Sequence, residues 1–123
     1  MKSESIIKQK SFAFAVRIVK LYQYLTENKK EFILSKQLLR SGTSIGANVH
    51  EALQGSSRKD FINKLNIALK ESHETQYWLN LLHETNYLSP KEYESVLVDC
   101  VEVIKILTSI IKTTKSKPDN DNH

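Results

Sequence analysis

Four histidines and one cysteine are the residues of this sequence that could most readily do chemistry. The segments HETQY at His73–Tyr77 and HETNY at His83–Tyr87 each resemble half of the zinc-protease motif HExxH. That motif needs a second histidine four residues after the first, so that both ligands lie on one helix face. Tyrosine stands at that position in both segments. The sequence therefore predicts no zinc site of this kind.

Other catalytic arrangements fail on spacing as well. A di-iron bundle needs a glutamate three residues before a histidine, and neither His50, His73 nor His83 has one. Ser44 and His50 lie six residues apart, which does not align a hydroxyl with an imidazole on a helix. Cys100 falls within an apolar stripe and is predicted to be a core residue. We expect a non-enzymatic protein without a metal or cofactor, with a metal-dependent bundle enzyme as the remote alternative.

The segment RSGTSIGANVHEALQGSSRKDF, residues 40–61, contains all three glycines of the chain. A phosphate-binding loop would need a lysine directly after its last glycine and a strand before the loop, and both are absent. Apolar helical periodicity instead continues through the segment. An interior helical glycine costs about 0.5–1 kcal/mol relative to alanine, and close approach of a neighbouring helix would offset that cost. Gly42, Gly46 and Ala47 are therefore predicted to be helix-packing residues, with one face inside the chain and another against a second subunit.

The composition of the 123-residue chain favours helices. Hydrophobic residues make up 40% and charged residues 26%, which is typical of a globular domain. Three glycines and two prolines are too few for the many turns of an all-β protein. The single cysteine excludes an internal disulfide and fits a reducing compartment. No apolar run is long enough for a signal peptide or a membrane span, so we expect a cytoplasmic protein without membrane contact.

Apolar periodicity divides the chain into four helical segments. They are Ser5–Thr26, Phe32–Leu53, Arg58–Asn86 and Pro90–Thr114. Short connections between them predict an all-α, up-down-up-down four-helix bundle over residues 1–114. The polar residues 115–123 are predicted to be a disordered tail.

The apolar stripes also predict which residues form the core. In the first segment these are Ile7, Ser11, Phe14, Ile18, Leu21 and Leu25. A second stripe of Phe12, Val16, Val19 and Tyr22 lies beside the first and makes the apolar arc too wide for one neighbour to cover. In the fourth segment the predicted core stripe is Tyr93, Leu97, Cys100, Ile104, Leu107 and Ile111.

Polar side chains on the second segment have predicted partners on the third. If these segments form a hairpin that turns at residues 54–57, facing residues have numbers that sum to about 111. We therefore predict a partly buried ion pair of Arg40 with Glu71 and Glu74, and an ion pair between Glu51 and Arg58 across the turn. The predicted polar network comprises Arg40, Ser44, Asn48, Glu51, Arg58, Glu71 and Glu74.

These same segments carry a resemblance to a known family. The pattern RxxxSIxxNVxE runs from Arg40 to Glu51, RKDFxxxLxIA from Arg58 to Ala68, and SxE from Ser72 to Glu74. It resembles the four-helix-bundle proteins encoded in intervening sequences of bacterial 23S ribosomal RNA genes, and the related accessory variability proteins of diversity-generating retroelements. The resemblance spans about residues 12–114.

The resemblance implies a cyclic homopentamer around a central channel. For the retroelement branch it also implies binding to a reverse transcriptase and to nucleic acid. The sequence departs from the family pattern at Ala52, where a glycine is usual, and near Gly55, where arginines are common. The missing arginines weaken the nucleic-acid interpretation.

A net charge of +4 and a pI near 9.1 are compatible with a nucleic-acid partner. The candidate contacts for RNA or DNA are Lys8, Lys10, Arg17, Lys20, Lys29, Lys30, Arg58, Lys59 and Lys64. We expect a homo-oligomeric scaffold or accessory protein that holds RNA or DNA weakly through its basic surface. The alternative is a protein-binding adaptor, for instance for a reverse transcriptase, without nucleic-acid contact.

Overall fold

The protein is a bundle of antiparallel helices in which each helix packs against the next along the chain. The computed structural model describes residues 2–55 and 57–118. This part of the chain contains four helices: α1 (Lys2–Glu27), α2 (Leu34–Leu53), α3 (Arg58–Glu84) and α4 (Pro90–Ser116). Helices α1 and α4 also meet and close the bundle, although their contact is the least extensive of the four. The predicted up-down-up-down fold is confirmed.

Two predicted boundaries differ at the ends of the chain. Helix α4 continues through Lys115 and Ser116, which were predicted to begin the disordered tail. Apolar residues anchor α4 in the core as far as Ile111, and the helix continues little more than one turn beyond that residue. Met1 and residues 119–123 lie outside the described residues, so disorder at 119–123 stays a prediction.

The core of the bundle follows the predicted stripes in α1 but not in α4. In α1, all predicted core residues are buried except Leu21, which is half-buried. In α4, Leu97 and Ile104 are half-buried, and the buried residues are Val96, Cys100, Val103, Leu107, Ile110 and Ile111. Because α4 is apolar over a wide arc, the sequence does not say which part of the arc faces the centre.

The helix ends are fixed by polar side chains. Ser89 accepts a hydrogen bond from the Glu92 backbone N–H, and the Glu92 carboxylate accepts one from the Ser89 N–H, which makes a capping box before Pro90. Ser57 caps α3 through the backbone N–H of Asp60. Serine is favoured at the N-cap, so the serines before Arg58 and Pro90 mark these two helix starts in the sequence as well.

The beginning of α2 uses a cap that sequence reasoning missed. The carboxylate of Glu31 accepts hydrogen bonds from the backbone N–H groups of Ile33, Leu34 and Ser35 at 3.2, 3.0 and 2.7 Å. Burial of Glu31 opposes its ionisation, but these N–H donors outweigh it and lower the pKa of the carboxyl. Six residues thus separate α1 from the start of α2, and the backbone N–H groups of Leu34 and Ser35 at that start are paired.

Helices α1 and α2 approach each other closely at two glycines. A β-carbon added to Gly42 would lie 2.8 Å from Cγ1 and Cγ2 of Ile18, and one on Gly46 would lie 3.2 Å from the carbonyl oxygen of Ser11. Both glycines therefore face α1 within the chain. Ala47, the third predicted helix-packing residue, is exposed, so its contact with a second subunit stays a prediction.

Candidate functional site

The predicted polar side chains of α2 and α3 form a connected network on the outside of the hairpin. Arg40 donates from Nη1 to Glu71 Oε2 at 2.9 Å and from Nη2 to Glu74. Trp78 donates from Nε1 to the same Glu74 carboxylate at 2.9 Å, and this bond together with Arg40 lowers the pKa of Glu74. The hydrogen bond to Glu74 in turn raises the pKa of Arg40. The side chain of Arg40 is 50% exposed and that of Glu71 only 17%, so the network lies half in solvent.

The predicted ion pair between Glu51 and Arg58 is wrong. Glu51 instead contacts Lys64, with Nζ and Oε1 3.0 Å apart. Arg58 donates to the backbone carbonyls of Thr114 and Lys117 at the end of α4. Cationic side chains favour the C-terminal carbonyls of a helix, and the first residue of α3 lies beside that end of α4.

Ser44 and Asn48 do not reach α3. Ser44 donates to the carbonyl of Arg40 at 2.7 Å, and Asn48 donates to the carbonyl of Ser44 at 2.8 Å. Both bonds stay within α2. On this face, α2 and α3 are therefore linked by Arg40 with its two glutamates, to which Trp78 also donates, and by the ion pair of Glu51 with Lys64.

Several nucleic-acid candidates are already paired within the chain. Lys10 lies 3.2 Å from Glu102, and Arg17 lies 2.6 Å from Asp99 and 3.1 Å from the carbonyl oxygen of Ser95. Lys64 is paired with Glu51, as described above. The ammonium of Lys29 lies over the ring of Tyr24, 5.9 Å from its centroid.

The other candidates are exposed but do not form one patch. Among the described residues, Lys8, Lys20, Lys30 and Lys59 have no ion-pair partner. Lys8 and Lys59 lie toward the α2–α3 turn, whereas Lys20 and Lys30 lie toward the opposite end. The predicted set is thus split between the two ends of the bundle.

The structure reveals instead that positive charge is concentrated at one end. A plane through the buried residues Phe14, Ile45, Ala68 and Cys100 divides the bundle in two. The half with the α2–α3 turn, here called the basic end, holds ten lysines and arginines against four carboxylates among the described residues. Its cations are Lys2, Lys8, Lys10, Arg58, Lys59, Lys64, Lys105, Lys112, Lys115 and Lys117. The other half holds eight of each sign.

Sequence reasoning missed five members of the basic end, which are Lys2, Lys105, Lys112, Lys115 and Lys117. Lys115 and Lys117 fell within the predicted tail. Their common position appears only when the antiparallel register brings the last turns of α4 beside the first turns of α1 and α3. Asp119 and Asp121 follow in the sequence and lie outside the described residues.

An exposed apolar face covers the outer side of α1 and α2. Phe12 is 69% exposed, and Val16 and Val19 are each 39% exposed. Their spacing of four and three residues places them on one side of α1. On α2, Gly46 approaches the backbone of Ser11 and Phe12, and Thr43 and Ala47 lie next to Gly46 toward the outer side of that helix. We call Phe12, Val16, Val19, Thr43 and Ala47 the α1–α2 face.

Two of the residues that could do chemistry, Cys100 and His83, are occupied by structural contacts. Cys100 is fully buried, its thiol donates to the carbonyl of Ser72 at 3.5 Å, and burial raises its pKa to about 12. The ring of His83 stacks on Tyr93 with centroids 4.5 Å apart, and its Nδ1 lies 3.2 Å from the carbonyl of Leu88. Within the described ranges, no group of three His, Cys, Asp or Glu side chains could hold a metal ion.

Comparison with known proteins identifies the family. The family model for the 23S rRNA-intervening sequence protein matches residues 3–109, which cover all of α2 and α3 and most of α1 and α4. The chain belongs to this family.

Among solved structures, the chain is similar to a Bacteroides thetaiotaomicron protein of unknown function from the S23 ribosomal protein family. The two sequences are 59% identical, the match covers 89% of this chain and 98% of that one, and the TM-score is 0.89. No curated protein matches the chain. For the intervening sequence protein family, neither comparison names a catalytic activity. No helix in the described part of the chain is long and apolar enough to cross a membrane.

Proposed function

We propose that this intervening sequence protein is a non-enzymatic scaffold that assembles into a homo-oligomer through the α1–α2 face. The observation that carries the proposal is the exposure of Phe12, Val16 and Val19 on one side of α1, next to small residues of α2. Contiguous apolar patches on a protein surface mark interaction sites. Burying an exposed phenylalanine or valine side chain contributes about 1.5–3 kcal/mol, so two or three such residues per copy can hold an assembly together.

The small residues give this face its shape. Because Thr43 and Ala47 carry short side chains beside Gly46, the α2 part of the face is shallow, whereas Phe12 protrudes from α1. A ring forms when such a surface meets a different surface of the next copy and the rotation closes. We take the cyclic pentamer from the family resemblance as the proposed assembly. The buried thiol of Cys100 is compatible with a scaffold that works in the reducing cytoplasm.

The mass of the protein in solution tests the scaffold proposal. Light scattering coupled to gel filtration should give a multiple of the 14.2 kDa chain mass, and about five times that value for the proposed ring. A mass of one chain at micromolar concentration would refute assembly. The mass of a dimer, a trimer or another multiple would support assembly but refute the pentamer.

The uneven charge distribution favours a second function, which is weak binding of RNA or DNA at the basic end. Lysines there that form no ion pair with another described residue, such as Lys59, Lys112 and Lys115, are exposed and can contact phosphates. In a ring the basic ends of several copies would combine into one larger positive surface. Such binding releases counterions and therefore weakens steeply with salt.

Fluorescence anisotropy with a 20-nucleotide RNA and a 20-base-pair DNA tests this second function. The double variant K112E/K115E should weaken binding by about tenfold or more at 50 mM salt and reduce its salt dependence. The matched variant K30E/K36E makes the same charge change at the other end and should alter binding far less. Absence of binding by the wild-type protein at 50 mM salt would leave the adaptor alternative, for instance with a reverse transcriptase as the partner.

A further inference from the structure

The seam between α1 and α4 contains clefts, and the ion pairs of Arg17 with Asp99 and of Lys10 with Glu102 join the two helices across it. Three clefts follow one another there, with volumes of about 500, 120 and 270 Å³. From Ser3 to Tyr24, the residues of α1 that line them span about 30 Å at 1.5 Å per residue. We call this seam the α1–α4 groove. It lies on the opposite flank of α1 from the α1–α2 face.

The floor of the groove is apolar. Leu21, Tyr24 and Val96 line the widest cleft, and Ile6 and Ile106 line the cleft nearest the start of α1. Ile6 remains more than a third exposed. A groove of this length with apolar positions at both ends has the shape that receives an amphipathic helix from another protein.

The charged side chains on the rim of the groove indicate which charge a partner should carry. Two of the carboxylates that line the groove are paired with cations of α1, because Asp99 pairs with Arg17 and Glu102 pairs with Lys10. The third, Glu92, accepts the backbone N–H of Ser89 and keeps its negative charge. The other cations of the rim are Lys20, Lys91 and Lys105, and none of them has an ion pair among the described residues. Three lysines therefore remain against one carboxylate, and the charge available to a partner is net positive.

We infer that the α1–α4 groove binds an acidic amphipathic helix of a partner protein. Apolar side chains on one face of that helix enter the clefts, and a large one fills the cleft between Tyr24 and Val96. Carboxylates that flank this anchor contact Lys20 and Lys91 from either side of the seam. The proposal gives the scaffold a docking site for a client and does not depend on its oligomeric state.

Synthetic peptides of 20 residues test the inference on the full-length protein. The first peptide carries leucine at helical i, i+3 and i+4 spacing and glutamate elsewhere. The second has lysine in place of every glutamate, and the third has serine in place of every leucine. By fluorescence anisotropy, the first should bind at least tenfold more tightly than either of the others.

Charge-swapped variants locate the site. K20E/K91E should weaken binding of the glutamate peptide at least tenfold and should strengthen binding of the lysine peptide. The control K36E/K70E changes two exposed lysines outside the groove and should leave both affinities within about twofold to threefold. Unchanged melting temperatures would confirm that all variants are folded.

Three results would overturn the inference. Equal binding of the serine peptide and the glutamate peptide would show that the apolar floor of the groove contributes nothing to binding. Equal loss of binding in K20E/K91E and K36E/K70E would place binding elsewhere on the surface. A 20-nucleotide RNA that loses its affinity in K20E/K91E, while the glutamate peptide does not bind, would make the rim a phosphate site rather than a protein-docking site.

Discussion

Ile18 of α1 occupies the space that a side chain at Gly42 of α2 would need. The distance from a β-carbon built on Gly42 to Cγ1 and Cγ2 of Ile18 is 2.8 Å, and Ile18 is fully buried. A buried, β-branched side chain has little freedom to move aside. This contact explains why position 42, in the middle of α2, is a glycine and not a residue with a higher helix propensity.

Replacing Gly42 with alanine should destabilise the protein. Alanine is favoured over glycine in a helix by about 0.5–1 kcal/mol, but the overlap with Ile18 should cost about 1–3 kcal/mol. We therefore expect a net loss of free energy of unfolding, measured by urea denaturation. Gly46→Ala is the matched control, since its β-carbon would lie 3.2 Å from a backbone oxygen and the loss should be smaller. A G42A variant as stable as the wild type would show that the helices can separate at no cost.

Replacing Arg40 with alanine should cost about 1 kcal/mol. The arginine side chain is half exposed, so solvent screens its attraction to Glu74, but the less exposed Glu71 loses a hydrogen-bond partner. Urea denaturation of R40A, E74Q and the double variant would give the coupling energy between the two groups. Arg40→Lys is the control, because lysine keeps the positive charge but cannot donate from two guanidinium nitrogens to Glu71 and Glu74 at once. A loss below about 0.3 kcal/mol would mean that Arg40 acts as an ordinary surface arginine.

The Glu31 cap should make stability depend on pH. Its folded-state pKa lies below the ordinary value of 4.5, so the folded protein binds fewer protons than the unfolded chain in this range. The stabilisation is therefore complete above the unfolded pKa and is lost as the pH falls through the folded pKa. We expect E31Q to be less stable than the wild type at pH 7, by about 1 kcal/mol, and the difference to shrink as the pH is lowered below 4.5. A difference that stays constant with pH would contradict the assignment.

The thiol of Cys100 should be inert in the folded protein. It is buried, and burial raises its pKa to about 12, so almost no thiolate is present at neutral pH. Reaction with an aromatic disulfide reagent at pH 8 should be at least about a hundredfold slower in the native protein than in urea. Rapid reaction of Cys100 in the native protein would show that α3 and α4 separate readily around this residue.

The helical part of the fold could be predicted because it depends on local patterns. The capping serines, Pro90 and the stripe of α1 each act within a few residues, and all agree with the structure. The core face of α4 could not be fixed, because its apolar arc is wider than the core and only packing against α1 and α3 selects the buried part. Glu31 was missed because glutamate is not a typical capping residue and acts here from outside the helix.

The candidate surfaces were predicted less well, because they depend on how helices that are distant in sequence align along the bundle. Arg40 and Glu71 could be paired from hairpin geometry, since only one turn separates their helices. The same geometry placed Arg58 wrongly, because the carbonyls at the end of α4 compete for its guanidinium. The basic end and the α1–α4 groove both involve helices distant in sequence, and no short-range pattern marks them.

Assembly through the α1–α2 face is tested most directly by placing glutamate at two different valines and comparing the masses of the variants. Val16 lies on that face, whereas Val98 lies on α4 outside it and is 67% exposed. Both should tolerate glutamate within the monomer fold, because neither is buried in the core. Light scattering with gel filtration should give the wild-type oligomer for V98E and a mass near 14.2 kDa for V16E. A V16E protein that retains the wild-type mass, with an unchanged melting temperature, would contradict the account.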